Sequence, residues 1–168
     1  MQNIFNALSS CDFVHLQSLT LRFCSQHAPP PWTMDPVPVM NLLRQNPSLR
    51  YVNLELPIPA ATITEGLGLL SQLDTLVTRR WKDSENTRSR TGAVNIPESP
   101  EVLFPSLCNI NSDCMPTLLR VLSYTPAHFI TSLQISLSSS TEAKELFKRI
   151  QLCSSLKSIN ITPSPYVK

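Results

Sequence analysis

A spacing of aliphatic residues that returns six times constrains this chain more than any other feature. The stretch LQSLTLRFC, Leu16 to Cys24, sets Leu16, Leu19 and Leu21 in an L-x-x-L-x-L frame that closes on Cys24. On an extended chain residues two apart share a face, so Leu19 and Leu21 point one way while Ser18, Thr20 and Arg22 point the other. The frame returns as Leu49/Val52/Leu54, Leu73/Leu76/Thr78, Leu107/Ile110/Ser112, Ile130/Leu133/Ile135 and Leu156/Ile159/Ile161. Sixteen of the eighteen positions are aliphatic, with Thr78 and Ser112 the exceptions. A longer phrase also recurs: Pro47-Ser48-Leu49 leads to Asn53 as Pro105-Ser106-Leu107 leads to Asn111. A chain repeating itself at this scale stacks like units, because no single unit can cover its own apolar edge.

Successive frames start 33, 24, 34, 23 and 26 residues apart. Those gaps are too long for tight turns and long enough for helical crossovers, so the strands are predicted to run parallel. Helical patterns fill the gaps. Ile4, Leu8 and Cys11 predict a short helix over residues 2–11, and Val39, Leu42 and Leu43 another that ends before Pro47. Thr62 and Glu65 form a capping box for a helix carrying Ile63, Leu67 and Leu70. Met115, Leu118, Leu119 and Leu122 predict a helix with Pro116 in its first turn. Ser139 and Glu142 cap one that stacks Ala143, Leu146, Phe147 and Ile150. Two segments break the rhythm: the proline-rich APPPWTMDPVP, an extended connection, and the polar residues Arg80 to Glu101, an exposed insertion.

A doubly wound α/β domain also alternates strands and helices, but its strands are apolar on both faces. Here the alternate positions read Ser18, Thr20, Arg22; Tyr51, Asn53, Glu55; Thr75, Val77, Arg79; Asn109, Asn111, Asp113; Ser132, Gln134, Ser136; and Ser158, Asn160, Thr162. Only Val77 among these is aliphatic. One sheet face is therefore expected to meet water, with helices on the other.

Composition removes several classes of function. With 168 residues the chain has the size of one domain, and 14 basic against 12 acidic residues give no bulk field for nucleic acid or membranes. Five cysteines without a C-x-x-C pair argue for thiols in the core rather than zinc or disulfides, which fits a reducing cytosol or nucleus. No signal peptide and no apolar run of membrane-spanning length is evident. Fifteen prolines against three glycines suit rigid connections between short elements. No G-x-S-x-G, H-E-x-x-H, Walker loop or G-x-G-x-x-G occurs, and no cofactor is expected.

The frames, with phrases such as FPSL and PSLRYVNL between leucine-bearing helices, resemble leucine-rich-repeat proteins across nearly the whole chain. The irregular repeat lengths and P-S-L openings are similar to the repeat region of fungal F-box proteins. The resemblance implies a right-handed solenoid with about six short parallel strands on its concave face and helices on its convex face. It is expected to form one domain over residues 1–168, a fragment of a longer solenoid, with the insertion at about 80–102. It also implies a substrate-holding part of a ubiquitin-ligase receptor, without the F-box itself. The ninth frame position departs from the family: only Cys24 keeps it, and Pro57, Trp81, Met115, Ser138 and Ser164 stand elsewhere.

The expected function is thus a non-enzymatic scaffold whose open sheet face binds another protein. Arg22, Tyr51, Asn53, Glu55, Thr75, Arg79, Asn109, Asn111 and Gln134 are the candidate contacts, a mixture of aromatic, amide and charged side chains suited to such a patch. Two alternatives stay open. One is a small α/β enzyme using His15, His27 or His128. The other is nucleic-acid binding through the insertion, where Arg79, Arg80, Lys82, Arg88 and Arg90 gather near Trp81.

Overall fold

The structure, a computed structural model, describes residues 15–22, 35–56, 66–79, 104–137 and 139–163. The helix expected at 2–11, the capping box at Thr62 and the insertion from Arg80 lie outside the described residues.

Strands β1 (Ser18–Arg22), β2 (Tyr51–Glu55), β3 (Thr75–Arg79), β4 (Asn109–Ser112), β5 (Ser132–Leu137) and β6 (Ser158–Pro163) form one sheet in chain order, and every pairing is parallel. Three helices are described: α1 (Val37–Gln45), α2 (Met115–Ser123) and α3 (Ser140–Ile150). A single turn of 3₁₀ helix, Ala127–Phe129, precedes β5. The molecule is an α/β fold built on one six-stranded parallel sheet.

The aliphatic frame is the register of this sheet. Leu19, Val52, Leu76, Ile110, Leu133 and Ile159 lie side by side across all six strands. One row further along, Leu21, Leu54, Thr78, Ser112, Ile135 and Ile161 do the same. A slip by one residue would turn each aliphatic set to water, so burial of one face locks the pairing. Buried residues from all three helices, among them Val39, Leu43, Leu118 and Leu146, join inward residues of β1 to β5 in one cluster.

The first frame residue of each later unit is fixed the same way. The N–H groups of Leu49, Leu73, Leu107, Ile130 and Leu156 each donate to the carbonyl three residues earlier, on Asn46, Leu70, Phe104, Ala127 and Cys153. A second feature repeats across units. The Gln17 carbonyl accepts from the N–H groups of both Arg50 and Tyr51, and the carbonyls of Arg50, Asp74, Cys108 and Thr131 each accept the equivalent pair from the next unit. Five consecutive junctions therefore have one backbone geometry, which accounts for the regularity of the sheet despite unequal connections.

The P-S-L phrase finds its reason here. Pro47-Ser48 and Pro105-Ser106 are turns rather than strand residues. Their hydroxyls reach back one unit, Ser48 Oγ donating to the Leu16 carbonyl at 3.1 Å and Ser106 Oγ to the Ser71 carbonyl at 2.8 Å. Leu49 and Leu107 then drop into the core, both 0% exposed. Replacing Ser48 with alanine is expected to lower the unfolding free energy by about 1 kcal/mol, with a smaller loss at the more exposed Ser106. Urea denaturation of the two single variants checks both values.

Three expectations need correction. Phe147 was expected in the stacked stripe of α3, but only Leu146 is fully buried there and Phe147 is exposed. In α2 the deepest residues are Met115, Leu118 and Val121, with Leu119 and Leu122 only packed against the core. The strands are also shorter than their frames, because the first frame residue belongs to the turn. The cap on α3 is as expected: Ser139 Oγ accepts from the Glu142 N–H at 3.2 Å.

Candidate functional site

Alternation places a second set of side chains on the sheet face opposite the core. In register they form three rows. The first is Ser18, Tyr51, Thr75, Asn109, Ser132 and Ser158, and the second is Thr20, Asn53, Val77, Asn111, Gln134 and Asn160. The third begins Arg22, Glu55 and Arg79 and resumes with Ser136 and Thr162. Parallel strands stand about 4.8 Å apart, so neighbours within a row can bond directly.

Many of them do. Asn109 Nδ2 donates to Thr75 Oγ1 at 3.3 Å, and Thr131 Oγ1 donates to Asn109 Oδ1 at 3.4 Å. Asn111 Nδ2 donates to Gln134 Oε1 at 3.1 Å, and the hydroxyls of Ser136 and Thr162 bond at 3.0 Å. These bonds fix the amide orientations of β4 and β5 and link side chains from β3 to β6, so this half of the face is pre-ordered. At the other half Arg22 Nε meets Glu55 Oε1 at 3.3 Å. The Arg22 side chain is largely exposed, so the pair stabilises little and orders the face more than it holds the fold.

All nine residues singled out from sequence lie on this one face, but not equally open. Arg22 and Arg79 are exposed, and Tyr51, Glu55, Thr75, Asn109, Asn111 and Gln134 are half-buried. Asn53 departs from the expected solvent position: it is only 4% exposed, and next to it Val77 is buried as well. Among the described residues its Oδ1 has no hydrogen-bond partner. The centre of the face is therefore closed, and the reachable groups form a ring around Asn53 and Val77.

Arg50 and Asp74 were not anticipated. They occupy equivalent positions of successive units and pair at 3.4 Å, beside the first row. Their signal was present in the frames, since both directly follow the first frame leucine, but they fall outside the alternating positions that define the face. The Cys153 thiol is pushed up from its ordinary pKa by burial and donates to the Arg149 carbonyl, which marks it as a packing residue. Among the described residues no three His, Cys, Asp or Glu side chains gather to hold a metal. None of the described helices is long and apolar enough to cross a membrane. His128 packs its ring against Phe129, 4.2 Å between centroids. His27 and the basic insertion lie outside the described residues.

Comparison with family models, with curated proteins and with solved structures returned no match in any of the three. The functional reading therefore rests on the geometry of this chain.

Proposed function

We propose that the chain is a leucine-rich-repeat solenoid acting as a non-enzymatic scaffold, with a protein partner held against the outward face of its sheet. The observation that carries this reading is the ordered polar face itself. Six parallel strands present amide, hydroxyl and charged side chains in register, framed by Tyr51 and Arg79 and opposite a core that already buries the aliphatic frame. Ordered side chains lose less entropy on binding than free ones, and aromatic and arginine residues are the groups that most often anchor a protein interface. The junction geometry repeated five times supports the solenoid part of the reading.

The resemblance to F-box repeat regions extends the proposal to the substrate-holding part of a ubiquitin-ligase receptor. Tyr51→Ala with Arg79→Ala is expected to lower partner retention by at least about tenfold, since two anchor residues each contribute more than ~1 kcal/mol. The circular-dichroism spectrum stays unchanged, as both side chains reach solvent. The measurement is quantitative capture from an extract of the native cells, with Lys144→Ala/Lys148→Ala on α3 as the control. Equal retention by wild type and Y51A/R79A rejects this face. Depleting the chain should lengthen the half-life of the retained partner, and an unchanged half-life removes the ubiquitin-ligase assignment alone.

A further inference from the structure

The two halves of the outward face differ in charge. Each of β1, β2 and β3 ends on a charged residue, Arg22, Glu55 and Arg79 respectively. β4, β5 and β6 contain no charged residue, and their eight outward side chains are four amides and four hydroxyls. The flanking charges in sequence, Asp113 after β4 and Lys157 before β6, lie at opposite ends of the strands. Within this half the amides hold fixed directions. Asn109 is tied on both sides, to Thr75 on β3 and to Thr131 just before β5. Asn111 and Gln134 share a single bond, from an Asn111 side-chain N–H to the Gln134 carbonyl oxygen. A primary amide offers two donors and two acceptor positions. Among the described residues nothing else bonds to the side chains of this pair, so the Asn111 carbonyl oxygen and both Gln134 N–H groups meet no protein partner.

We propose that this uncharged half of the face binds a neutral oligosaccharide, with Asn111 and Gln134 at the centre of the site. The proposal goes beyond the scaffold reading and does not depend on it. An ionic ligand, nucleic acid included, would give up its hydration for a surface without counter-charge. A protein interface centres on apolar and aromatic side chains, and no outward residue of β4 to β6 is apolar. An apolar ligand would strip water from the amides and return no hydrogen bond. A sugar hydroxyl both donates and accepts, so it meets an amide N–H or carbonyl oxygen with no charge required. Neighbours already hold Asn109, Asn111 and Gln134, so little side-chain freedom is lost on binding. The first row supplies a stacking surface for the C–H face of a sugar ring, since it runs from Ser132 through Asn109 and Thr75 to the half-buried Tyr51. Adjacent strands stand about 4.8 Å apart, which puts β2 and β5 roughly 14 Å apart. That span suits several sugar units lying across the strands rather than a single one.

NMR titration of the full chain tests the proposal, with hexamers of glucose, mannose and N-acetylglucosamine as the probes. At least one hexamer is expected to bind with a dissociation constant of about 1 mM or tighter. It should shift the side-chain amide resonances of Asn111 and Gln134 and leave that of Asn46, buried in the core, in place. Affinity should hold between about 50 and 200 mM salt, since no charge takes part. Asn111→Ala/Gln134→Ala should weaken binding by at least about tenfold. The circular-dichroism spectrum should stay unchanged, because both side chains lie on the outward face. If that double variant fails to fold, the wild-type resonances alone decide. No shift at Asn111 or Gln134 with about 10 mM of any hexamer overturns the assignment. So does undiminished binding by folded N111A/Q134A, or an affinity that falls as salt rises.

Discussion

Replacing Leu76 with alanine is expected to remove about 2 to 5 kcal/mol of unfolding free energy, enough to unfold a substantial share of a marginally stable domain. Leu76 is 0% exposed, at the middle of the sheet between Val52 and Ile110, and it shares one cluster with the buried residues of all three helices. Parallel strands on both sides and helices beneath leave little freedom to collapse into the space vacated, which puts the cost toward the upper part of that range. Ile159 occupies the same frame position on β6, where it is 41% exposed, and Ile159→Ala is expected to cost less than about 1.5 kcal/mol. Urea denaturation compares the two variants: the midpoint should fall sharply for L76A and little for I159A, with the slope unchanged. Equal losses would mean that a residue's place along the sheet does not govern its contribution.

Exchanging Ser112 for alanine should cost about 1 to 3 kcal/mol although it removes a single oxygen. Thr78 and Ser112 are the two frame positions that are not aliphatic, and both are buried. Thr78 Oγ1 donates to Ser112 Oγ at 2.9 Å. Ser112 Oγ in turn donates to the Cys114 carbonyl at 3.1 Å and accepts from the Cys114 N–H at 3.2 Å. Ser112→Ala leaves the Thr78 hydroxyl in the core without its acceptor, and that desolvation sets the cost. Thr78→Val keeps the shape and removes the stranded group, so in the S112A background it should recover about 1 kcal/mol or more. In the wild-type background the same change should be neutral or destabilising. A double-mutant cycle reads this reversal of sign, and additive effects would show that the hydroxyls do not act as a pair.

Much of the fold was legible in the primary structure because the signal is local. Leu19 and Leu21 reveal a strand face from two residues, and the same frame at Leu49, Leu73, Leu107, Ile130 and Leu156 fixes how each strand aligns with the next, since any other register exposes aliphatic groups. The two exceptions looked like flaws in that pattern. They became intelligible only when Thr78 and Ser112 were found adjacent in the register, 34 residues apart in the chain. The P-S-L recurrence was likewise visible, but not its cause, because the carbonyls that Ser48 and Ser106 bind belong to preceding units.

The candidate face was legible as a set of residues and not as a surface. Alternation assigned Arg22, Tyr51, Asn53, Glu55, Thr75, Arg79, Asn109, Asn111 and Gln134 to one side, and they lie there. It could not tell that Asn53 and Val77 are closed off while Arg79 is exposed. It also could not tell that Asn111 is committed to Gln134, or that Arg50 reaches Asp74.

By itself, then, the sequence determined which residues form strands, which way they point and in what register they join, because a two-residue period is written into consecutive side chains. Tertiary structure alone decided how deeply each position lies. Ile135 and Ile161 carry the same side chain at the same frame position. One is sealed between two strands while the other has a described neighbour on one side only, and depth depends on what the rest of the chain places alongside.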